Sequence, residues 1–349
     1  MFCFGLIHQP ANHRCCRVHL RGVGTAWPVI AATLSSLGLV QSLECHADPI
    51  DPAKDGSIIP LESFTNLRTL KLVDIIGRLI FERTAPLMIA QSPYLTTLEL
   101  IPESGLDRQS FEFHTLVQGA ILSPQFSPSL ENLTISQDKT PLTLHSVPYL
   151  RNLTNLRLLD SDSFVPEAFW TELLANGVHL RSLHISRFDQ RLVDYLSSYS
   201  GLETLDIAQR AYAVRRLKNA TELFKQIFHV VLPKHCETLK DFALNVLEDG
   251  PWNISEGYLG QLALCKKLSR LFLAYYTRPR HGSIRMLSLH QASLVGYLSL
   301  AIGIVADLPQ GAIFSSLVQH NPGLRKLTVL FGHEFTPYGG RSLPTFAFE

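Results

Sequence analysis

The sequence lacks any uninterrupted apolar run of about 18 residues, the length a membrane-spanning helix needs. Its opening stretch, Met1 to Ile7, is too short and wrongly flanked for a secretory signal, so the expected setting is intracellular, cytoplasmic or nuclear. Excess charge of one sign is also lacking. The formal net charge of the 349-residue chain is +1, which argues against a dedicated nucleic-acid binder. Cysteines are few, at positions 3, 15, 16, 45, 236 and 265. They form no metal-ligand spacing, and adjacent Cys15 and Cys16 do not suit a conventional disulfide, so a reduced compartment fits them best.

Catalytic signatures are missing too. There is no Gly-x-Ser-x-Gly elbow, no phosphate-loop Gly-Lys-Ser/Thr and no His-Glu-x-x-His pair, while Gly22-Val-Gly24 is too short for a dinucleotide fingerprint. The small acidic cluster of Asp160, Asp162 and Glu167 reads as a solvated loop and helix start, because acids favour that end of a helix. Arg215, Arg216 and Lys218 interleave with an apolar stripe and read as a solvated helical face. The expectation is a non-enzymatic protein without cofactor, metal or membrane span.

What the chain has is apolar material, 46% of its residues, in a recurring pattern. Ten copies of a Leu-x-x-Leu-x-Leu frame or a close substitute run from Val40-Leu43-Cys45 to Leu324-Leu327-Val329. Clear members start at Leu67, Leu95, Leu130, Leu153, Leu180, Leu202, Leu239 and Leu268. A degenerate copy, Val295-Leu298-Leu300, sits midway in the 56 positions between Leu268 and Leu324. The last two apolar positions of each frame are two apart, the period of a strand with one buried face. Each frame therefore predicts one short parallel strand.

Helical spacing fills most intervening segments, as in Phe113, Leu116, Val117, Ala120 and Ile121, or Leu217, Ala220, Phe224, Ile227, Phe228 and Val231. Ser163 is a cap candidate for a helix around Phe169, Leu173 and Leu174 that Asn176-Gly177 closes. Phe188, Leu192, Leu196 and Tyr199 predict another. From Gln137 to Leu150, two prolines leave no room for a helix and imply an extended back. The expected fold is α/β: a leucine-rich-repeat solenoid, or horseshoe, of about ten irregular repeats. Its curved parallel sheet lines the concave face, with mostly helices on the convex face. Residues 1–26 read as an irregular or disordered lead and 27–349 as the repeat domain, with a C-terminal cap from about 331.

Cys236-Glu-Thr-Leu239 and Cys265-Lys-Lys-Leu268 place a cysteine three residues before the frame, and Ser92-Pro-Tyr-Leu95 has serine there. This resembles the cysteine-containing leucine-rich repeats that form the substrate-binding half of F-box proteins. The irregular spacing and the missing Asn after the strand are similar to the divergent fungal forms. The resemblance spans about residues 27–335. It implies a protein-recognition module of the kind that serves as a substrate receptor in a ubiquitin ligase. A Skp-type adaptor and a cullin ligase are implied partners where an F-box lies upstream, although residues 1–45 show no such motif. The alternative is a stand-alone intracellular scaffold or regulator that binds a GTPase or another enzyme.

Either reading puts the ligand on the concave sheet, where the residue between the last two frame positions points outward. The candidate partner-binding residues are Lys71, Glu99, Arg157, His184 and Asp206, joined by Phe272. Tyr275, Tyr276, Arg278 and Arg280 add aromatic and arginine side chains, the types that carry interface energy, in a loop expected to leave the eighth strand. Their mixed signs suit a folded protein partner rather than nucleic acid. Cys236 and Cys265 are expected to be buried fillers without reactivity. The sequons at Asn132, Asn152, Asn219 and Asn253 are read as chance matches, because Leu133 belongs to a strand.

Overall fold

The computed structural model describes residues 16–21, 40–46, 64–75, 83–102, 111–122, 129–136, 140–159, 165–187, 189–209, 219–246, 256–276, 287–289 and 326–332. The chain divides into two compact units, Met1–Leu180 and Arg181–Glu349.

The first unit carries six parallel strands, each beside the next in chain order. They are β1 (Cys16–Arg21), β2 (Val40–His46), β3 (Thr69–Ile75), β4 (Thr97–Pro102), β5 (Asn132–Ser136) and β6 (Asn155–Leu159). Corresponding frame positions pair in register: Leu43 with Leu70, Leu70 with Leu98, Leu98 with Leu133 and Leu133 with Leu156. Behind the strands stand α1 (Ala85–Ala90), α2 (Phe113–Ile121), a 3₁₀ turn (Leu144–Leu150) and α3 (Glu167–Ala175), each against the next.

The second unit begins with β7 (Ser182–Ile185), followed by β8 (Thr204–Gln209), β9 (Asp241–Val246) and β10 (Arg270–Tyr276), again parallel. Its helices are α4 (Gln190–Ser198), α5 (Ala220–Gln226), α6 (Leu232–His235) and α7 (Glu256–Ala263), with a π-helical turn, Ile227–Val231, joining α5 to α6. Two more strands complete its sheet: β11 (Leu287–Leu289) and β12 (Lys326–Gly332).

The frame decides what is buried. Every frame residue whose side chain is described is at most 8% exposed. Residues between them stay partly or fully exposed, as in the buried–intermediate–buried alternation of β5 and β7. Helix residues complete the same cores. Phe228 sets its ring edge against Phe242 of β9 at 5.9 Å, and Phe113 meets Tyr149 at 6.3 Å.

The bend at each strand start also repeats. The residue after the first frame leucine turns its carbonyl toward the next repeat, where it accepts two consecutive backbone N–H groups, using both oxygen lone pairs. Arg68 O receives Thr96 and Thr97, Thr96 O receives Glu131 and Asn132, and Glu131 O receives Thr154 and Asn155. In the second unit Arg181, Glu203 and Lys240 play this part, all at 2.7 to 3.0 Å. This ladder depends on backbone alone and tolerates start-to-start spacings from 22 to 37 residues.

Several expectations are corrected. Part of the 1–26 lead is not irregular: Cys16–Arg21 forms β1 and pairs with β2. The back of the repeat expected to be extended from Gln137 to Leu150 is not extended over Leu144–Leu150. Thr143 and Ser146 cap each other reciprocally, and a 3₁₀ turn follows that accommodates Pro148. Helix α3 opens with Pro166 at its N-cap; Ser163 lies outside the described residues. Its end matches expectation, because Gly177 at φ +68° lets its own N–H reach Leu174 O and Val178 N–H reach Leu173 O, leaving few orphan carbonyls. Asp189 caps α4 by accepting Leu192 N–H at 2.9 Å.

The largest correction concerns the far end. The degenerate copy at Val295 was expected to supply a strand between those of Leu268 and Leu324. Instead β10 pairs directly with β12, Leu271 opposite Leu327, and β11 lies antiparallel on the other side of β12. Residues 295–300 lie outside the described residues, as do Leu324 and the tail after Gly332. Strand β12 continues through the expected start of the cap, to Gly332.

Candidate functional site

The outward face of each unit is built from the residues the frame leaves over. In the first unit Glu44, Lys71, Glu99, Thr134 and Arg157 stand side by side in strand register. Lys71 Nζ meets Glu99 Oε2 at 3.0 Å across adjacent strands. Arg157 is exposed and forms no ion pair among the described residues. One step toward the strand starts, Asn132 donates to Thr97 Oγ1 at 3.2 Å and accepts from Asn155 Nδ2. The Asn132 amide is therefore engaged within the sheet.

In the second unit the equivalent row is His184, Asp206, Ala243, Phe272 and Thr328. His184 donates its Nδ1 proton to Asp206 Oδ2 at 2.6 Å. Among the described residues no hydroxyl or thiol hydrogen-bonds the other ring nitrogen. No group of three or more His, Cys, Asp or Glu among the described residues is arranged to hold a metal ion. One step toward the strand starts, Arg270 grips Asp241 with two nitrogens at 2.5 and 2.6 Å. That grip holds the Asp241 carboxyl below its usual range, helped by Thr204 and Ser269.

The structure thus brings Lys71, Glu99 and Arg157 together on one face, and His184, Asp206 and Phe272 on another. It does not group the remaining candidates as expected. Tyr275 and Tyr276 belong to strand β10, opposite Phe331 and Gly332, and not to a loop leaving it. Arg278 and Arg280 lie outside the described residues, as do Asp160, Asp162, Arg215, Arg216 and Lys218. Among the described residues no helix is long and apolar enough to cross a membrane.

Polar side chains at the back of the frame emerge only from the structure. Ser92, the residue in the cysteine position, is buried and accepts Leu67 N–H through its hydroxyl oxygen at 3.1 Å. His235, immediately before Cys236, does the same for Leu202: its Nδ1 accepts that N–H at 3.2 Å while Nε2 donates to Leu196 O at 2.9 Å. Burial pushes this imidazole below its ordinary pKa of 6.5, against the raising effect of the Leu196 bond and with a further lowering from Lys234. The spacing held no signal for this role, because His235 stands four residues before Leu239 whereas Ser92 stands three before Leu95. Burial pushes the Cys45 and Cys265 thiols up to about 12, leaving them protonated and poorly nucleophilic.

No family model matches the chain, and no curated protein matches it either.

Proposed function

We propose that this protein recognises another protein through the outward strand residues of its repeats, without catalysis of its own. The parallel strands, frames and backing helices support a curved leucine-rich-repeat solenoid of about ten irregular repeats as the scaffold. One observation carries the functional reading. The row from Lys71 to Arg157 sets charged and hydroxyl side chains on adjacent strands, about 4.8 Å apart, on backbone that the buried leucines hold rigid. Such a surface is pre-organised, so a partner loses little ordering entropy from this side on binding.

The cysteine positions before the frames at Leu239 and Leu268 support a substrate-receptor role in a cullin-type ubiquitin ligase, reached through an F-box and a Skp-type adaptor. A stand-alone intracellular regulator of a GTPase or another enzyme is the second reading. It is favoured by β1 and β2, which place the described segments Cys16–Arg21 and Val40–His46 in the repeat sheet.

A photo-cross-linking phenylalanine analogue at Thr134 tests recognition directly, with the same analogue at exposed Gln118 of α2 as control. Discrete protein adducts from position 134, absent from position 118 and weakened by Arg157→Glu, are expected. Equal or absent labelling at both positions would remove the outward row as the recognition surface.

A further inference from the structure

The amino-terminal edge of the second unit's sheet differs in charge from its counterpart in the first. The ladder positions just before the strands are Arg68, Thr96, Glu131 and Thr154 in the first unit, a balanced set. In the second they are Arg181, Glu203, Lys240 and Ser269, with Arg270 next to the last and Lys266 and Lys267 in the turn that leads to it. All five cations are exposed.

Their internal partners are soon used up. Lys240 Nζ contacts Glu203 Oε2 at 2.5 Å, and Arg270 is taken by Asp241. Glu203 also lies in the fields of Arg181 and Lys267, so a single carboxylate answers to three cations. Arg181, Lys266 and Lys267 form no ion pair among the described residues, and exposed Glu237 is the only other acid on this edge among them. Beside the lysines, Leu264 is 53% exposed.

We propose that this edge, centred on Lys266 and Lys267 with Arg181 and Leu264, docks an acidic segment of a partner protein that bears an apolar residue among its carboxylates. The proposal rests on the protein-recognition reading in taking the ligand to be a polypeptide, but it uses a surface separate from the outward row. A polypeptide fits better than the other polyanions. Glu203 and Glu237 interrupt the basic row, whereas nucleic acid favours a continuous stripe, and no exposed aromatic stands among the described residues of this edge to stack a base. One exposed leucine offers too little apolar area to hold a bilayer. Carboxylates, by contrast, form short charge-assisted bonds with exposed Lys and Arg and can be spaced to avoid the two acids.

The test is fluorescence anisotropy of the full chain with a labelled peptide of alternating Glu and Asp around one Leu. A Gln/Asn version of that peptide, a single-stranded RNA and phosphatidylserine vesicles serve as comparisons. The acidic peptide should bind saturably at low salt and weaken about tenfold as salt is raised toward 0.2 M, since screening shortens the reach of exposed charges. Lys266→Glu with Lys267→Glu should abolish binding without moving the thermal transition, and the milder Lys266→Gln with Lys267→Gln should weaken it. No binding of the acidic peptide, binding indifferent to both lysine pairs, or tighter lysine-dependent binding of RNA or vesicles would overturn the proposal. Failure of the outward-row reading would show separately, in the cross-links from position 134.

Discussion

Ser92 in the first unit and His235 in the second perform one task with different chemistry. Each sits where a helix gives way to the next strand, and each accepts the backbone N–H of the first frame leucine one repeat earlier, Leu67 or Leu202. A buried N–H requires a partner, so the position demands an acceptor but does not dictate which. Serine meets the demand at any ordinary pH. Histidine meets it only while neutral, because protonated Nδ1 has no lone pair to offer. The outward rows differ in the same manner: a lysine–glutamate pair in one unit, a histidine–aspartate pair in the other, on the same frame. The repeat fixes where a polar group must stand and leaves its chemistry free.

The strongest attempt to break this comparison strikes the shared part. Leu98→Asp in the first unit and Leu183→Asp in the second should each abolish cooperative thermal unfolding of the affected unit. Both leucines are fully buried, truncation of such a residue to Ala typically costs about 2 to 5 kcal/mol, and a buried charge costs more. Unequal outcomes would mean that the two frames are not equivalent.

A second pair of variants sharpens the contrast. His235→Ala should cost roughly 2 to 5 kcal/mol in denaturant unfolding, since Leu202 N–H and Leu196 C=O both lose their partner. Ser92→Ala should cost about 1 to 3 kcal/mol, because only Leu67 N–H is orphaned.

The pH dependence follows from the direction of the His235 shift. Above its ordinary 6.5 the ring is neutral in the native and unfolded chains alike, and its contribution is fully present. As pH falls below 6.5 the unfolded chain binds the proton first, so stability declines until the lowered native value is reached. The Tm should therefore drop from pH 7 toward pH 5.5, and His235→Asn should flatten that slope while Ser92→Ala leaves it unchanged. Asp241 and Glu203, held down by Arg270 and Lys240, act only in more acid solution: their stabilisation is present above the usual 3.8 and 4.5 and is lost as pH falls through the depressed values.

The smallest effect belongs to the outward pair. A double-mutant cycle on Lys71 and Glu99 should return a coupling of about 0.2 to 1 kcal/mol, the range for partly exposed pairs on neighbouring strands. A much larger value would make the row a structural element instead of a surface free to vary.

The strands from β2 to β10 were legible in the sequence because leucines two apart mark a buried strand face wherever they recur. So was the outward placement of Lys71, Glu99, Arg157, His184 and Asp206, which follows from alternation alone. Strand β1 was not, since Cys16 to Arg21 alternates without the leucine that opens a frame, and its pairing with β2 comes from backbone hydrogen bonds that no side chain announces. The position expected for a Val295 strand, between β10 and β12, failed for the opposite reason. Its spacing suited a repeat, yet β10 and β12 pair through Leu271 and Leu327 and leave no place between them. Tyr275 and Tyr276 looked like loop residues because the frame ends at Leu273, but strand pairing continues to Gly332 on the neighbour. The role of His235 depends on which N–H lies within reach, a matter of three-dimensional register.

Hydrogen exchange of the strand-start amides tests most directly the claim that one frame builds both units. The amides of Thr97, Asn132 and Asn155 in the first, and of Thr204, Asp241 and Arg270 in the second, should all be strongly protected, because each is bonded to a ladder carbonyl one repeat earlier. Free exchange at these positions in either unit, with its neighbouring helices still protected, would contradict the account.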